Sequence, residues 1–354
     1  MTKEKDVLES QTYDLMGLKV HVVGDQGRRV CGMVWRSFFA DCERAEWELD
    51  IQFDNDPKPI ALKPFHRSQY TLRIEQIIYL TIDSITIELP GYGRLELCEN
   101  RRRATFTLHR DNVPVNILEY FLIQFLAMGQ QSKGAIALHA ASLAINAEDA
   151  DFEEAIVLIA PSNTGKTTTT LALACDSLRL TGDDLVFVRR SQGGRFEAWG
   201  YPRCCHLRPN TLKLLPWTES LPFLNADAEG VRTIAIDQLG RRASLVNAWR
   251  PLRGLIGLSK PDGETATCEM ISPAKMLMLL AQESVQPTYG IYDCAAIDRF
   301  KLIGELARQS SSWELRPAFG RTDDLQAVVL RQLHCSYSDQ EANVQAEDHT
   351  YVGV

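Results

Sequence analysis

The sequence predicts a mixed α/β protein with a β-rich N-terminal region. Two observations favour this class. Short segments rich in β-branched residues fill the first third of the chain, and strand-like and helical segments alternate after residue 134. A third observation locates the part of the chain that carries chemistry: the segment APSNTGKT, residues 160 to 167, separates an apolar run from a helix-forming run. Alternating strands and helices are typical of α/β cores.

The composition restricts the class of protein. The chain has 354 residues, 45% of them hydrophobic and 24% charged, which is enough for one large or two moderate globular domains. A net charge of -8 argues against a nucleic acid partner. Nine cysteines without a C-x-x-C pair indicate reduced thiols in a cytoplasmic protein rather than a disulfide framework or a zinc site.

The sequence also predicts no membrane partner and no signal peptide. The first residues, MTKEKDVLES, are charged rather than apolar. The longest apolar stretch, ILEYFLIQFLAM, is interrupted by Glu119 and Gln124. It falls short of the roughly 20 apolar residues that a spanning helix needs. A homo-oligomer is compatible with these features.

Residues 1–112 form the predicted β-rich region. β-branched and aromatic residues favour strands, and Gly, Pro, Asp and Asn favour the turns between them. The predicted strands have the sequences LKVHVV, LDIQF, QIIYLTI, SITIEL and ATFTLHR. This region is a possible docking surface for a substrate.

A helix is predicted from Pro114 to Met128, at the start of a second region that spans residues 113–335. Apolar residues such as Ile117, Phe121 and Phe125 recur at helical spacing, and proline suits the first turn of a helix. The helix is expected to be buried.

The rest of the second region is predicted to alternate. Its predicted elements are a strand AIALHAASLAI, a strand AIVLI, a helix TTTTLALACD, two strand-like runs in SLRLTGDDLVFV, and the helices SPAKMLMLLAQE and IDRFKLIGELARQ. Residues 336–354 are polar and acidic and are predicted to be a disordered tail.

The segment 160–167 matches the phosphate-loop pattern, with Ala160 in place of the usual first glycine. In such a loop the backbone N–H groups and the positive end of the next helix surround nucleotide phosphates. Lys166 is expected to reach the outer phosphates and Thr167 to help hold Mg²⁺. The alternative is a polar turn that happens to contain GKT. The flanking strand and helix favour a site for ATP formed by Ser162, Asn163, Thr164, Gly165, Lys166, Thr167 and Thr168.

Two adjacent acids, Asp183 and Asp184, follow the loop by one helix and one return strand. One explanation is a tight Gly-Asp-Asp turn in a β-hairpin. The other is that the return strand brings both carboxylates beside the loop. There one acid would help bind Mg²⁺ and the other would accept a proton from an attacking hydroxyl.

Together these residues resemble the catalytic domain of the HPr kinase/phosphorylase family, and more closely its shorter HPr-kinase-like relatives, some of them linked to peptide natural-product clusters. The resemblance rests on His139 in ALHAASLAI, the loop APSNTGKTT and the acid pair in RLTGDD, in that order. It covers about residues 134 to 210 best. The family typically has His-Gly where this chain has His139 and Ala140.

The resemblance implies a phosphate-loop core related to phosphoenolpyruvate carboxykinase, and transfer of the ATP γ-phosphoryl group to a serine hydroxyl. It implies that Lys166 and Thr167 bind phosphate and Mg²⁺, that Asp183 assists the metal and that Asp184 is the base. His139 would lie near the reacting phosphate, the alternative being a core histidine on a strand.

Two arginines in GYPRCCHLRPN, Arg203 and Arg208, follow the acid pair and are candidates for contacting the substrate, although a solvated surface is equally open to them. The absence of the Asn-Lys-x-Asp pattern of regulatory GTPases favours ATP over GTP.

The predicted activity is therefore that of a serine kinase acting on a protein or peptide. Two alternatives stay open. The acceptor is a small molecule such as an amino acid or a sugar, or the chain is a non-catalytic switch that responds to bound nucleotide.

Overall fold

The structure is a computed structural model. It describes residues 11–35, 38, 40, 44–71, 74–98, 100–110, 113–146, 152–227, 229–261, 263–284, 294–319 and 324–333. The chain divides into two compact units, Met1–Lys133 and Gly134–Val354. The long helix expected at the start of the second region therefore belongs to the first unit, and residues 336–354 lie outside the described residues.

In its described part, the first unit contains an eight-stranded sheet and two helices. The strand order is β1-β2-β3-β8-β7-β6-β5-β4, with β2 parallel to β3 and β3 parallel to β8. The helices are α1 (Asp25–Val34) and α2 (Val115–Gln131). The strands are β1 (Gln11–Leu15), β2 (Leu18–Val23), β3 (Trp47–Phe53), β4 (His66–Thr71), β5 (Ile74–Leu80), β6 (Ile85–Leu89), β7 (Gly93–Cys98) and β8 (Arg103–Leu108).

Alternating burial explains how this sheet packs. Side chains of a strand point to opposite faces in turn, and β2, β3 and β7 alternate buried and partly exposed residues. Phe121 and Phe125 of α2 lie against the buried face, with ring centroids 4.6 Å from Phe106 and 5.6 Å from Trp47. The apolar periodicity of the helix thus completes the core of the first unit.

The β-rich character of the N-terminal region is confirmed, and the five predicted strands correspond to β2, β3, β5, β6 and β8. Strands β1, β4 and β7 and helix α1 have no counterpart among the elements predicted from the sequence. The segment that forms α1, DQGRRVCGMV, begins after Gly24 at a φ of 80°, and its two glycines, Gly27 and Gly32, disfavour a helix in the sequence.

The second unit contains a nine-stranded mixed sheet within its described residues. Its order is β12-β10-β11-β18-β14-β13-β9, and β20 pairs with β18 and β19. The larger strands are β9 (Ile136–Leu138), β10 (Ala140–Asn146), β11 (Glu153–Ile159), β12 (Leu178–Gly182), β13 (Val186–Arg190), β14 (Phe196–Gly200), β18 (Arg250–Leu258), β19 (Thr267–Met270) and β20 (Ser312–Arg316). A small sheet joins β15 (Cys205–Leu207), β16 (Asn225–Ala226) and β17 (Arg232–Ile234).

Strand β11 lies at the centre of this unit. It is antiparallel to β10 and parallel to β18, and β18 is parallel to β20. Ile156 and Leu158 face one hydrophobic core, whereas Val157 and Ile159 face another. A strand buried on both faces reads as a continuous apolar run, which is why AIVLI shows no alternation.

Helices cover both faces of β11. Leu171 and Leu173 of α3 (Lys166–Leu173), together with Leu325 and Val329 of a helix over residues 324–333, belong to the first core. The second core contains buried residues of α5 (Pro273–Gln282) and α6 (Cys294–Gln309). The short helix α4 spans Pro209–Leu214. Both predicted C-terminal helices are confirmed.

One predicted strand is wrong as a single element. AIALHAASLAI divides at His139 into β9 and β10, which pair with different neighbours, β13 and β11. Of the helices in the described residues, none combines the length and the apolar character needed to cross a bilayer.

Candidate functional site

The segment 160–165 forms a tight connection between β11 and α3. Asn163 has a φ of 66° and Gly165 a φ of 101°, both in the left-handed region that non-glycine residues other than Asn and Asp seldom adopt. No heavy atom lies within 4 Å of a Cβ built on Gly165, so its conformation rather than its surroundings requires glycine. Among the described residues, no side chain caps the start of α3, which leaves its first N–H groups for another acceptor.

Lys166 is the first residue of α3 and its side chain is only 6% exposed. Its Nζ donates to the backbone oxygen of His139 at 3.2 Å and lies 3.6 Å from Asp184 Oδ1. Burial lowers the pKa of Lys166, opposed by the negative charges of the neighbouring acids. A buried ammonium group is costly without anionic partners, so this position favours an anion.

The acid pair lies beside the loop. Thr167 Oγ1 donates to Asp183 Oδ2 at 2.8 Å, which joins the start of α3 to the end of β12. The hairpin interpretation of Gly-Asp-Asp is wrong, because β12 pairs with β10 while β13 pairs with β9 and β14. The two strands that flank the acids therefore do not pair with each other, and the acids lie in the connection from β12 to β13.

Two glycines, Gly182 and Gly200, allow the backbones of β12 and β14 to lie close together beside this connection. A Cβ on Gly200 of β14 would lie 2.1 Å from Ser142 Oγ and 2.7 Å from Gly182 N. A Cβ on Gly182 would lie 2.7 Å from the backbone of Gly200. Real Cβ atoms do not approach so closely, so only glycine fits at both positions. Because Gly182 directly precedes Asp183, this close approach fixes where the acids emerge.

The two neighbouring carboxylates have opposite environments. Asp183 is 1% exposed, and burial together with the charge of Asp184 raises its pKa. Asp184 has a φ of 66°, which turns it toward Lys166 and His139. Burial alone would raise the pKa of Asp184, but the hydrogen bond from His139 and the charge of Lys166 outweigh that effect and hold it well below its usual range. Asp184 is therefore the acid that stays ionised.

His139 is not a core residue on a strand. It lies at the break between β9 and β10, and its side chain is 29% exposed although Leu138 and Ala140 are fully buried. Its Nε2 lies 3.4 Å from Asp184 Oδ1. The hydrogen bond with Asp184 raises the pKa of His139, partly opposed by burial and by the charge of Lys166.

Glu283 is a further residue at this site that the sequence analysis missed. It directly follows α5, is 7% exposed, and its Oε2 accepts a hydrogen bond from His139 Nδ1 at 2.8 Å. Its backbone oxygen accepts from the backbone N–H of His139 at 2.7 Å. The sequence shows only a glutamate at the end of an amphipathic helix, with no signal linking it to His139.

The remaining predicted residues are two arginines that follow the acid pair and three residues in or next to the loop. The positive charge of Arg203 favours the ionised form of both acids. It lowers the pKa of Asp184 further and partly opposes the rise in the pKa of Asp183. Arg208 is exposed ahead of α4, and none of the interactions found for the described residues joins it to the acids. Ser162 is exposed and Thr164 partly exposed at the loop, whereas the hydroxyl of Thr168 is buried and bonds to Thr211 Oγ1 at 2.7 Å.

The residues at the loop fit a magnesium ion bound together with nucleotide phosphates. Among the described residues, no group of three or more His, Cys, Asp or Glu side chains is arranged to hold a metal. Magnesium, however, is commonly bound through one or two carboxylates, with phosphates and water completing its coordination. Asp183 supplies a buried carboxylate whose Oδ1 has no hydrogen-bond partner in the described structure, and Thr167 supplies a hydroxyl.

Comparisons with known proteins identify no family for this chain. No protein-family model and no curated protein matches it. A solved structure, the Hpr(Ser) kinase/phosphatase from Coxiella burnetii, aligns with 61% of this chain and 99% of its own chain, at 15% identity and a TM-score of 0.31. A similarity of this size carries no conclusion about activity, so membership of the HPr kinase/phosphorylase family stays a prediction.

Proposed function

We propose that this chain is an ATP-dependent kinase that transfers the γ-phosphoryl group to a serine hydroxyl of a protein or peptide. One observation supports the proposal above all others. The buried Lys166 lies 3.6 Å from the ionised carboxylate of Asp184, and the next residue, Thr167, donates to the carboxylate of the neighbouring Asp183 at 2.8 Å. These are the groups that phosphoryl transfer uses to neutralise phosphate, hold a metal ion and orient a hydroxyl.

The nucleotide phosphates would be bound by Lys166 and by backbone N–H groups at residues 165–167, since the N–H of Thr164 donates to the backbone oxygen of Pro161. The left-handed conformations at Asn163 and Gly165 and the uncapped start of α3 support this role. Thr167 and Asp183 would hold Mg²⁺, which when bound supplies positive charge to the phosphate oxygens. Binding of phosphate would also give the buried ammonium group of Lys166 a stronger anionic partner.

Asp184 would orient the serine hydroxyl and accept its proton. The serine oxygen forms a bond to the γ-phosphorus while the bond between that phosphorus and the β–γ bridging oxygen breaks, and ADP leaves. Because the transition state of phosphoryl transfer is loose, the proton is lost late, when a weakly basic carboxylate suffices. The low pKa of Asp184 is therefore compatible with this role. His139 and Arg203 would contribute positive charge near the transferred group.

The acceptor would dock on the first unit. Its sheet carries a polar cavity of about 480 Å³, with acids and arginines side by side, which suits a peptide with charges of both signs. Its lining includes Asp50, Asp83, Glu96, Arg101 and Arg103. Reversing Arg101 to Glu is expected to raise the KM for the peptide and leave the KM for ATP unchanged. Arg67→Glu, an exposed arginine paired with Glu75, is the matched control.

The central experiment incubates the purified chain with ATP, Mg²⁺ and a pool of peptides that each contain one serine. A parallel pool has alanine at that position, and free serine, homoserine and glucose serve as small acceptors. Mass spectrometry identifies the products. The proposal expects phosphoserine peptides with the wild-type chain and none with Lys166→Met. Lys275→Met is the control, because Lys275 pairs with Glu314 in the same unit.

Each other result contradicts the proposal in a defined way. Phosphorylation of free serine, homoserine or glucose without peptide products would identify a small-molecule kinase. Binding of ATP with slow hydrolysis and no phosphorylated product would identify a nucleotide-dependent switch. Equal activity of the wild-type chain and Lys166→Met would place the reaction at another site.

A further inference from the structure

Glu283 forms two hydrogen bonds with His139, one through its backbone and one through its side chain. The backbone N–H of His139 donates to the backbone oxygen of Glu283 at 2.7 Å, and the imidazole Nδ1 donates to its carboxylate at 2.8 Å. An isolated β-bridge between Leu138 and Ser284 continues the backbone contact. The backbone hydrogen bond is part of this bridge and attaches the end of α5 to the strand, so the contact between the two side chains is an additional one.

The carboxylate contact determines which imidazole nitrogen faces the acids. With Nδ1 donating to Glu283, the opposite nitrogen, Nε2, points to Asp184 at 3.4 Å. Both ring nitrogens therefore face a carboxylate, and because a carboxylate only accepts, this arrangement suits the doubly protonated, positively charged imidazole. The ring is also fixed against rotation, because both of its polar edges are engaged.

Burial makes this arrangement specific. The Glu283 carboxylate is 7% exposed. A carboxylate so shielded from water destabilises the folded state unless a donor or an opposite charge pairs with it. The charged groups around the imidazole are Asp184, Glu283 and Lys166, all of which act on His139 electrostatically or by hydrogen bonds. The carboxylates and the imidazole thus form a line, Glu283–His139–Asp184, that ends beside Lys166.

We propose that Glu283 is a positioning residue for phosphoryl transfer: its carboxylate fixes the orientation of the His139 ring, so that the Nε2–H group faces Asp184 and the transferred phosphoryl group. This proposal rests on the proposed kinase function for its kinetic consequence. The orientation of His139 itself does not depend on that function. The backbone contact and the bridge attach the end of α5 to the strand, while the carboxylate acts on the ring alone.

Two substitutions separate the contributions of hydrogen bonding and charge. Glu283→Ala removes the acceptor for Nδ1 but leaves the backbone contact. Glu283→Gln keeps an acceptor oxygen and removes the charge. Glu314→Gln is the matched control, since Glu314 is another shielded, ion-paired glutamate of the second unit and contacts Ser259 and Lys275 instead of a histidine.

The first readout is the ¹⁵N chemical shifts of the imidazole nitrogens of His139, assigned by comparison with His139→Gln. We expect both nitrogens to be protonated in the wild-type chain and in Glu283→Gln in mildly acidic solution, and Nδ1 of Glu283→Ala to lose its proton at a lower pH than in either of them. The second readout is kinetic. For Glu283→Ala, kcat should fall by at least about tenfold with the KM for ATP unchanged, and Glu283→Gln should recover most of the loss.

The combined readouts show which of the two proposals fails. Unchanged His139 shifts in a folded Glu283→Ala variant would overturn the positioning role, whether or not the chain transfers phosphate. Altered shifts with unchanged kcat would also overturn it, since the orientation would then have no consequence for the reaction. If the wild-type chain transfers no phosphate at all, the kinase proposal fails, and the positioning role in phosphoryl transfer fails with it even where the shifts show that Glu283 orients the ring.

Discussion

The Thr167 hydroxyl donates to one oxygen of the Asp183 carboxylate at 2.8 Å, while the other oxygen of that buried group has no hydrogen-bond partner in the described structure. This contact joins the beginning of α3 to the end of β12. It leaves a carboxylate oxygen that water does not reach and that no donor satisfies. Such groups are costly to the folded state and are retained where they bind a ligand.

Asp183→Asn is expected to separate stability from activity. The amide keeps the shape of the side chain but removes a carboxyl group whose ionised form is disfavoured by burial and by the charge of Asp184, so the free energy of unfolding should stay equal to the wild-type value or rise by up to about 2 kcal/mol. Binding of ATP should lose its dependence on Mg²⁺, measured by calorimetry with Mg²⁺ and with EDTA. Asp176→Asn, at an exposed pair with Arg241, is the control. A clear loss of stability in Asp183→Asn would contradict this account of the charge.

Asp184→Asn is expected to abolish transfer and to preserve nucleotide binding. Loss of a base or orienting group lowers kcat by roughly 10²- to 10⁴-fold. The substitution also removes the anion 3.6 Å from Lys166, so ATP should bind with unchanged or tighter Kd. Initial rates and Kd measured on the same preparation test both effects. Full activity in this variant would show that Asp184 is not the base.

His139 is expected to make stability depend on pH. Its pKa is raised in the folded chain, chiefly by the hydrogen bond with Asp184. A raised histidine pKa stabilises the folded state below the unfolded pKa of about 6.5, and this contribution is lost as the pH rises through the folded pKa. The difference in unfolding free energy between the wild-type chain and His139→Gln should therefore shrink from pH 6 to pH 9. Denaturant titrations at both limits measure it, and a difference that grows with pH would reverse the assigned direction.

Gly200→Ala is expected to destabilise the second unit. Its new Cβ would meet Ser142 Oγ and the backbone N of Gly182 at 2.1 and 2.7 Å, and overpacking of this kind costs about 1–3 kcal/mol. Gly193→Ala is the matched control, because its Cβ would meet only Ser191 Oγ at 3.8 Å, and its effect should stay within about 0.5 kcal/mol. Thermal and denaturant unfolding compare the two. Equal stabilities would show that β12 and β14 do not pass as closely as described.

The local elements of the fold were largely predictable because their signals are local. Continuous apolar runs indicated β11, and helical periodicity indicated α2, α5 and α6. The loop was recognised because glycine, lysine and threonine occur together in one short segment. The position of the acids beside the loop was also predictable from the sequence, because only one helix and one return strand lie between the loop and Asp183.

The rest depended on contacts between distant segments. AIALHAASLAI has the composition of one strand, and its division at His139 follows from different pairing of its two halves. The Glu283 contact joins residues 144 positions apart. Gly182 and Gly200 look like ordinary turn or strand glycines in the sequence, and only the close passage of their strands shows why a side chain is excluded.

The contact between Glu283 and His139 bears on how chains of this kind should be trimmed or compared. A fragment ending near residue 210 would keep every recognisable signature, but it would lack both the glutamate that orients the imidazole and the strand parallel to β11. Shorter homologues or expression variants that retain only the signatures should thus be checked for an acidic residue reaching the same histidine before activity is attributed to them.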